Sequence, residues 1–570
     1  MSRRLLLPLA AIAACLLLPA GASAHALVVG TSPERGATLK AAPAQVEFDF
    51  SETVETDFGA IRVFNSAGDE VQSGSVFHPG GAGSKAAVKL KPGLPDGGYT
   101  ATYRVISADS HPVSGGFVFS VGKGSAAGPG VTRLLAGSNS GPVTATAFSV
   151  VRAFLYAAIA LLVGGLIFLA AAWRPGLRLA AGAQGPAWDA AAQAFEARLR
   201  SVLLIAACSG LLATVLALVL QAATATGDTF WAALNASTLI ELLGTRFGII
   251  WGAGAVAWIA VLTGLAARRR VAPALLALPA ALLVAAPALA GHASTQGPVA
   301  LLLPLVVIHV AAMSSWAGGL VAMLAAVPAA TSRLEPAGRT RLLASLVTRF
   351  SGLALIAVAT ILVTGIAQAV IEVGSFPALV ETAFGRAVLI KLVLLLVLIG
   401  IGVYQRRRVV PALERLSASG NTPGATGATL RRLLRTEVSI VAVVLIVTGA
   451  LAGYSPANTA SGPVAVTTSM GDTTVDLTVD PAAVGPNEMH IYLTDPQTGT
   501  PADAFKEFQV SVSLPDKGIG PLDADAEVTG PGHYTVPDAP FSAPGKWIVH
   551  LEGLVSKFEQ QTGDAQVEIR

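Results

Sequence analysis

Eight apolar blocks, each roughly twenty to thirty residues long, limit most strongly how this 570-residue chain folds. A helix of about 20 residues spans the hydrocarbon core of a bilayer, and within lipid such a helix satisfies its own backbone hydrogen bonds. The composition agrees, because 53% of the residues are hydrophobic and only 13% are charged. The sequence therefore predicts eight transmembrane helices, in blocks 147–172, 199–222, 246–266, 271–290, 299–328, 348–371, 386–404 and 436–454.

Arginine is distributed very unevenly between the loops that join these blocks. Alternate loops, beginning with the one after the first block, contain 18 arginines, whereas the other loops contain only Arg246 and Arg386. Positive residues stay on the cytoplasmic side of a membrane. The bias therefore predicts a multi-pass protein of the plasma or inner membrane, with both terminal regions outside the cytoplasm. It also explains the basic net charge of +3 without a nucleic-acid partner.

The first 24 residues have the features of a secretory signal peptide. Arg3 and Arg4 precede an apolar run, and the small-residue pattern Ala-Ser-Ala occupies 22–24, so cleavage would leave His25 as the first residue. Cys15 offers an alternative, because the preceding Ile-Ala-Ala also resembles a lipoprotein cleavage site. Lipidation there would keep His25 internal.

The remaining regions read as β-structure on either side of the membrane segment. Residues 25–122 alternate apolar and polar positions in short runs divided by Gly and Pro, as does 460–570, and both patterns are typical of small β-sandwiches. We therefore predict a multidomain membrane protein with an N-terminal sandwich, a linker at 123–145, an eight-helix bundle at 146–455 and a C-terminal sandwich-like domain.

Three residues form a candidate metal site in the first sandwich. A free α-amine and the imidazole of His25 together chelate divalent copper well. Asp109 and His111 are two positions apart in a turn, so both side chains can reach one ion. Such a nitrogen and oxygen donor set suits Cu(II) rather than Cu(I). The alternative is that all three are ordinary turn or terminal residues.

This region resembles CopC, the periplasmic copper-binding sandwich of bacterial copper resistance, through HALVVGTSPERGATL, VEFDFSETVE and YRVISADSHPVSGGFVFSV. The resemblance implies Cu(II) ligation by His25, Asp109 and His111, with Glu52 at the edge of the site. Some CopC proteins add a methionine-rich Cu(I) site. Residues 25–122 contain no methionine, so we expect only the Cu(II) site.

The membrane portion resembles CopD, the inner-membrane partner of CopC, through GHAST and HVAAMSSWAGG. His309, Met313 and Trp316 follow helical spacing and share one face, which presents imidazole and thioether ligands suited to copper. His292 precedes this helix at its outer end, so we predict a copper path from His292 to His309 and Met313. The alternatives are an interhelical hydrogen bond for His309 and an interfacial loop position for His292. Lys391 is expected to extend toward the membrane surface.

The last domain resembles YtkA-like β modules more loosely, through VDPAAVGPN and GPGHYTVPDAPFSAPGKWIVHLEG. Met489, His490, His533 and His550 are conceivable copper ligands there. His490 and His550 oppose the apolar alternation, so we expect both to face outward as ordinary surface histidines.

Together these features predict a copper-handling membrane protein that binds Cu(II) outside and moves copper across the membrane, for uptake, homeostasis or resistance. Copper ions, the lipid bilayer and copper chaperones are the expected partners. No ATP-binding motif is present in the sequence. Two alternatives stay open: a histidine-brace copper enzyme of the monooxygenase type, which a carboxylate ligand at Asp109 opposes, and a membrane-anchored copper sensor or chaperone-docking protein.

Overall fold

The structure is a computed structural model, and it contains two compact units. One unit holds the helices of 142–222 and 234–458, and the other holds both β-rich regions together with 223–233. The residues that the structure describes are 26, 28–58, 60–108, 110, 112–122, 131, 134, 140–182, 185–267, 273–295, 298–454, 456, 464–480, 482–495, 502, 505–530, 532–556 and 559–569.

The helical unit is built mainly from long apolar helices. Within the described residues, seven helices are long and apolar enough to cross a membrane. Several extend beyond the apolar blocks, because polar and arginine-rich residues at one end continue the helix. The helices are α1 (Gly141–Ile167), α2 (Arg174–Ala181), α3 (Pro186–Thr226), α4 (Ala236–Gly244), α5 (Arg246–Ala266), α6 (Ala277–Leu289), α7 (Val299–Ala325), α8 (Val327–Thr331), α9 (Pro336–Val373), α10 (Ala378–Glu381), α11 (Ala383–Tyr404), α12 (Val410–Ala418) and α13 (Gly424–Leu451).

The fourth apolar block differs from the expectation of a full-length spanning helix. Its α6 has 13 residues, about 20 Å at 1.5 Å per residue, and a 3₁₀ turn at Pro273–Leu276 precedes it. Proline lacks the amide hydrogen that continues a helix, and Pro287 lies within the last turn of α6. The hydropathy of the sequence does not reveal these interruptions of the helix, whereas the backbone conformation shows them.

The N-terminal β-region is a sandwich of two sheets. One sheet has the order β1-β3-β7-β6, and the other has the order β2-β9-β8-β4 with β5 also paired to β8. Alternate residues of facing strands, such as Phe48 and Phe117, form the core. The strands are β1 (Val28–Ser32), β2 (Thr38–Leu39), β3 (Gln45–Phe50), β4 (Val54–Glu55), β5 (Ile61–Asn65), β6 (Gln72–Phe77), β7 (Lys85–Leu90), β8 (Gly97–Ser107) and β9 (Pro112–Val121).

The C-terminal region also contains two sheets around one apolar core, with Trp547 fully buried at its centre. Their strand orders are β10-β11-β12-β16-β15 and β14-β13-β17-β18. The strands are β10 (Val464–Met470), β11 (Thr473–Asp480), β12 (Glu488–Thr494), β13 (Glu507–Leu514), β14 (Ile519–Ala524), β15 (Glu527–Gly530), β16 (His533–Val536), β17 (Gly545–Ser556) and β18 (Glu559–Ile569). The predicted architecture of two β-domains around a helical membrane region is therefore confirmed.

Candidate metal sites

The predicted outer ligands His25, Asp109 and His111 lie outside the described residues, so only their neighbours can be located. Ser110, between the last two, has a left-handed backbone with φ of 74°. Its amide donates a 2.8 Å hydrogen bond to the carbonyl of Ser107. This is a tight turn in a conformation that a residue with a Cβ rarely adopts, and such strain clusters at binding sites.

Strand register brings three segments of this sandwich to the same end. Val28 at the start of β1 pairs with Phe50 at the end of β3. Val54 on β4 pairs with Ser107, the last residue of β8. The chain then turns and enters β9 at Pro112. The start of β1, the β3–β4 connection and the β8–β9 turn therefore meet at one end of the sandwich.

Glu52 lies in the β3–β4 connection at this end. Its side chain is half-buried, and the Oε1 atom is shielded from solvent. The carboxylate is thus placed near the segments on which the predicted ligands lie, consistent with a position at the edge of a site.

The structure places His309 between two helices of the membrane unit. Its Nδ1 is 2.9 Å from the hydroxyl oxygen of Thr364 on α9, within hydrogen-bonding distance. Met313 on the same helix is half-buried, Trp316 is buried, and Met323 is buried in the packed interior. The interhelical hydrogen bond proposed as the alternative role of His309 is therefore present.

His292 lies in a 3₁₀ turn just before α7, with its Nε2 3.3 Å from the carbonyl oxygen of Tyr454. Glu372 near the end of α9 interacts electrostatically with both His292 and Lys391. Lys391 on α11 interacts in turn with His309. Four ionisable groups on different elements thus form a continuous electrostatic series.

One member of this series was missed in the sequence. Glu372 falls one residue beyond the apolar block 348–371, and an acidic side chain so close to a span is the signal that could have identified it. Lys391 is half-buried and interacts electrostatically with Glu372 on a packed neighbouring helix. Its extension toward the membrane surface stays a prediction.

No cluster of three or more His, Cys, Asp or Glu side chains with metal-binding geometry occurs in the described parts of the chain. The four ionisable groups of the membrane unit therefore lie one after another and do not form a single metal site.

The expectation that the histidines of the C-terminal domain are surface residues is wrong for two of them. His490 is only 4% exposed and His533 only 2% exposed, with His490 Nδ1 3.2 Å from His533 Nε2. His490 does oppose the apolar alternation, but both faces of β12 are covered. His550 is half-exposed beside Asp564, as expected, and Met489 is buried in the core on the other face of its strand.

The N-terminal β-region provides part of that cover. Arg35 donates a 2.6 Å hydrogen bond to Asp480 and lies 3.6 Å from Glu488. Gly36 approaches Thr529 on β15. Alternation within one strand distinguishes its two faces, but it does not reveal that a distant segment packs on the second face.

The seven candidate spans of the helical unit, together with the two β-sandwich regions, define a polytopic membrane protein. The sequence profile of the CopC domain matches residues 28–122. The profile of the Copper resistance protein D-like N-terminal domain matches 143–301, and that of Copper resistance protein D matches 344–451. The chain therefore belongs to the CopC–CopD proteins of copper transport and resistance, which are not enzymes.

Individual relatives agree with these matches. The Copper transport protein CutJ of Bacillus subtilis (strain 168) is 28% identical over 560 residues, which cover 95% of each chain. Copper resistance protein C of Pseudomonas syringae pv. tomato is 31% identical over 114 residues, covering 19% of this chain and 90% of its own. The crystal structure of CopC from Methylosinus trichosporium OB3b shares 28% identity and covers 17% of this chain and 93% of that one, with a TM-score of 0.16.

Proposed function

We propose that this protein captures Cu(II) outside the cytoplasm and moves copper across the membrane through its helical unit. His25, Asp109 and His111 bind the ion at the outer end, and His292, His309 and Met313 line the path through the helices. The observation that carries the proposal is the combination in one chain of the CopC domain and two CopD-type domains, with His309 on the helix α7 that lies between the two CopD-type matches.

The outer site is supported by strand register. The β8–β9 turn, the start of β1 and the β3–β4 connection lie at one end of the sandwich. A mature chain that begins at His25 would reach this end with its α-amine free, only three residues before β1 begins. The amine, two imidazoles and a carboxylate supply the nitrogen and oxygen donors that Cu(II) prefers.

The membrane path is supported by the polar groups on neighbouring helices. Ionisable side chains inside a membrane are costly and rare, and they mark ion pathways by default. His292, Glu372, Lys391 and His309 form such a series. Met313 lies one turn beyond His309 on α7 and adds a thioether, a soft ligand suited to monovalent copper.

Lys391 adds a positive charge to this series. It acts electrostatically on His309, and Glu372 acts on it with the opposite charge. A lysine cation would repel a copper ion at His309. Lys391→Leu removes the charge without removing or adding a copper ligand, so it should raise the rate of copper movement.

Cell-associated copper tests the proposal. Cells that produce the wild-type protein should differ from cells without it, and the sign of the difference gives the direction of transport. His309→Ala should abolish the difference, while the half-exposed His550→Ala, a matched histidine control, should preserve it. An unchanged difference with His309→Ala would remove that residue from the path.

The outer site is tested separately by moving the amine. One alanine inserted between Ala24 and His25 should weaken Cu(II) binding and leave folding intact, because the chelate loses its α-amine. Mass spectrometry of the mature protein should find His25 first. A lipid on Cys15 would contradict the proposed ligand set.

A further inference from the structure

The C-terminal domain contains a buried pair of imidazoles that the proposed transport path does not use. His490 on β12 lies directly opposite Thr535 on β16, and Tyr492 lies opposite His533. The Tyr492 and His533 rings stack with centroids 4.3 Å apart. His490 Nδ1 and His533 Nε2 point toward one another at 3.2 Å. The pair thus lies on one face of two paired strands, beside Tyr492 and Thr535.

The hydrogen-bond partners determine where the ring protons lie. The carboxylate of Glu488, 3.5 Å from His490 Nε2 but not hydrogen-bonded to it, favours the hydrogen on that nitrogen, which leaves His490 Nδ1 as the acceptor. His533 Nε2 therefore donates to His490 Nδ1. The hydroxyl of Thr529, 2.9 Å from His533 Nδ1, donates to it. Burial lowers the pKa of each histidine to about 3, so both rings are neutral and share one proton between their facing nitrogens.

We propose that His490 and His533 bind a monovalent soft metal ion, Cu(I), which replaces the proton between their facing nitrogens. At metal–nitrogen bonds of about 2.0 Å, nitrogens 3.2 Å apart subtend about 106° at the ion. Opening the pair by about 0.8 Å would make the arrangement linear. Two neutral imidazoles without a charged ligand suit an ion of single charge and low coordination number.

The proton that the ion displaces is accepted by a nitrogen within the site. It moves to His533 Nδ1, which then donates to Thr529 Oγ1, and the Thr529 hydroxyl turns toward Thr535 Oγ1, 3.0 Å away. No proton leaves the site and no electron is transferred. In the loaded state the outer N–H of His533 donates to Thr529, and the outer N–H of His490 faces Glu488 at 3.5 Å. Metal-binding histidines almost always donate their second ring N–H in this way, as His533 would to Thr529.

Charges of both signs lie near the pair. Glu488 Oε1 is 3.5 Å from His490 Nε2, and Glu488 and Asp476 act electrostatically on Tyr492. Arg35 acts on His490 with the opposite sign, but Asp480 holds Arg35 through a 2.6 Å ion pair, which compensates its charge. A bound Cu(I) would therefore have the carboxylate of Glu488 beside one of its ligands.

The test measures Cu(I) binding by the full chain purified in detergent, with ascorbate present and a chromophoric Cu(I) chelator as competitor. The wild-type protein should bind one more Cu(I) equivalent than His490→Gln. Thr529→Val keeps the side-chain shape and removes one outer hydrogen bond, so the extra site should weaken about 10- to 100-fold. Thr468→Val on β10 is the matched control, because it removes one hydroxyl hydrogen bond, to the carbonyl of Asp564 on β18, and should leave the Cu(I) affinity unchanged.

Equal Cu(I) stoichiometry in wild type and His490→Gln would overturn the proposal, as would equal affinities for Thr529→Val and Thr468→Val. If His490→Gln fails to fold, the comparison of Thr529→Val with Thr468→Val still tests the proposal. Paramagnetic resonance of oxidised Cu(II) in the same preparations reports the outer site separately. If the Cu(II) signal is absent while Cu(I) binding is retained, the outer site is contradicted and the Cu(I) site at His490 and His533 is supported.

Discussion

Gly318 on α7 lies where two helices cross at very close range. A Cβ on Gly318 would meet the carbonyl oxygen of Ala160 on α1 well inside 3.0 Å, a distance that real Cβ atoms essentially never show, and Gly164 Cα at 2.8 Å. Gly164 is equally crowded, since its own Cβ would meet Ser314 O and lie 2.6 Å from Gly318 Cα. Small residues allow such close approach of membrane helices. Gly318→Ala must therefore push α7 and α1 apart.

The size of the effect follows from these contacts. Bringing the new Cβ to an ordinary contact of about 3.4 Å with Gly164 Cα requires about 0.6 Å of movement, and more relative to Ala160 O. Overpacking of this kind costs about 1 to 3 kcal/mol, equivalent to about 5- to 150-fold in the ratio of folded to unfolded protein. His309 lies nine residues earlier on the same helix, about 14 Å away, and its alignment with Thr364 would shift with the helix.

Gly352→Ala on α9 is the matched control, because nothing lies within 4 Å of the position that its Cβ would occupy. Alanine there should stabilise the helix by up to about 1 kcal/mol. Thermal unfolding of both variants in detergent and cell-associated copper are the measurements. Gly318→Ala should lower the unfolding temperature. It should also reduce the difference in cell-associated copper between cells with and without the protein. Equal unfolding temperatures for the two variants would refute the close crossing of α1 and α7.

Three further perturbations test other contacts. Thr364→Val removes the partner of His309 and should lower copper movement modestly, consistent with about 0.6 kcal/mol for a hydrogen bond between membrane helices, whereas Thr360→Val on the exposed face of α9 should not. Arg35→Ala removes the ion pair with β11 and should accelerate limited proteolysis of the C-terminal domain; unchanged cleavage would contradict this contact. Burial lowers the pKa of His490 and His533 to about 3, so the unfolded chain binds more protons between about pH 6.5 and 3. Stability of β12 and β16 should therefore fall as the pH falls through this range, measured by hydrogen exchange, and His490→Gln should flatten the dependence.

The architecture was largely predictable from sequence, since long apolar blocks and alternating runs follow directly from lipid burial and strand pleating. The exception is the block at 271–290, where hydropathy predicted a span and the structure has a 3₁₀ turn followed by a helix α6 of 13 residues. The helix ends were also less predictable, because α3 and α9 continue well past their apolar blocks into polar sequence.

The sites were predictable only where one segment contains the signal. His309 and its neighbours on α7 were found because they share one helix, and Thr364 was not, because it comes from α9. Glu372 and Lys391 acquire their relation through helix packing, which a linear pattern does not encode. His490 was assigned to the surface for the same reason, since its cover comes partly from residues near Arg35, far away in sequence.

Copper flux into or out of proteoliposomes that contain the purified full chain tests the central claim most directly. The account predicts flux above that of protein-free vesicles with the wild-type chain. With His309→Ala the flux should fall to the protein-free level, while Cu(II) binding outside is retained. Flux through His309→Ala equal to that of the wild type, or wild-type flux no greater than in protein-free vesicles, would contradict copper movement along this path.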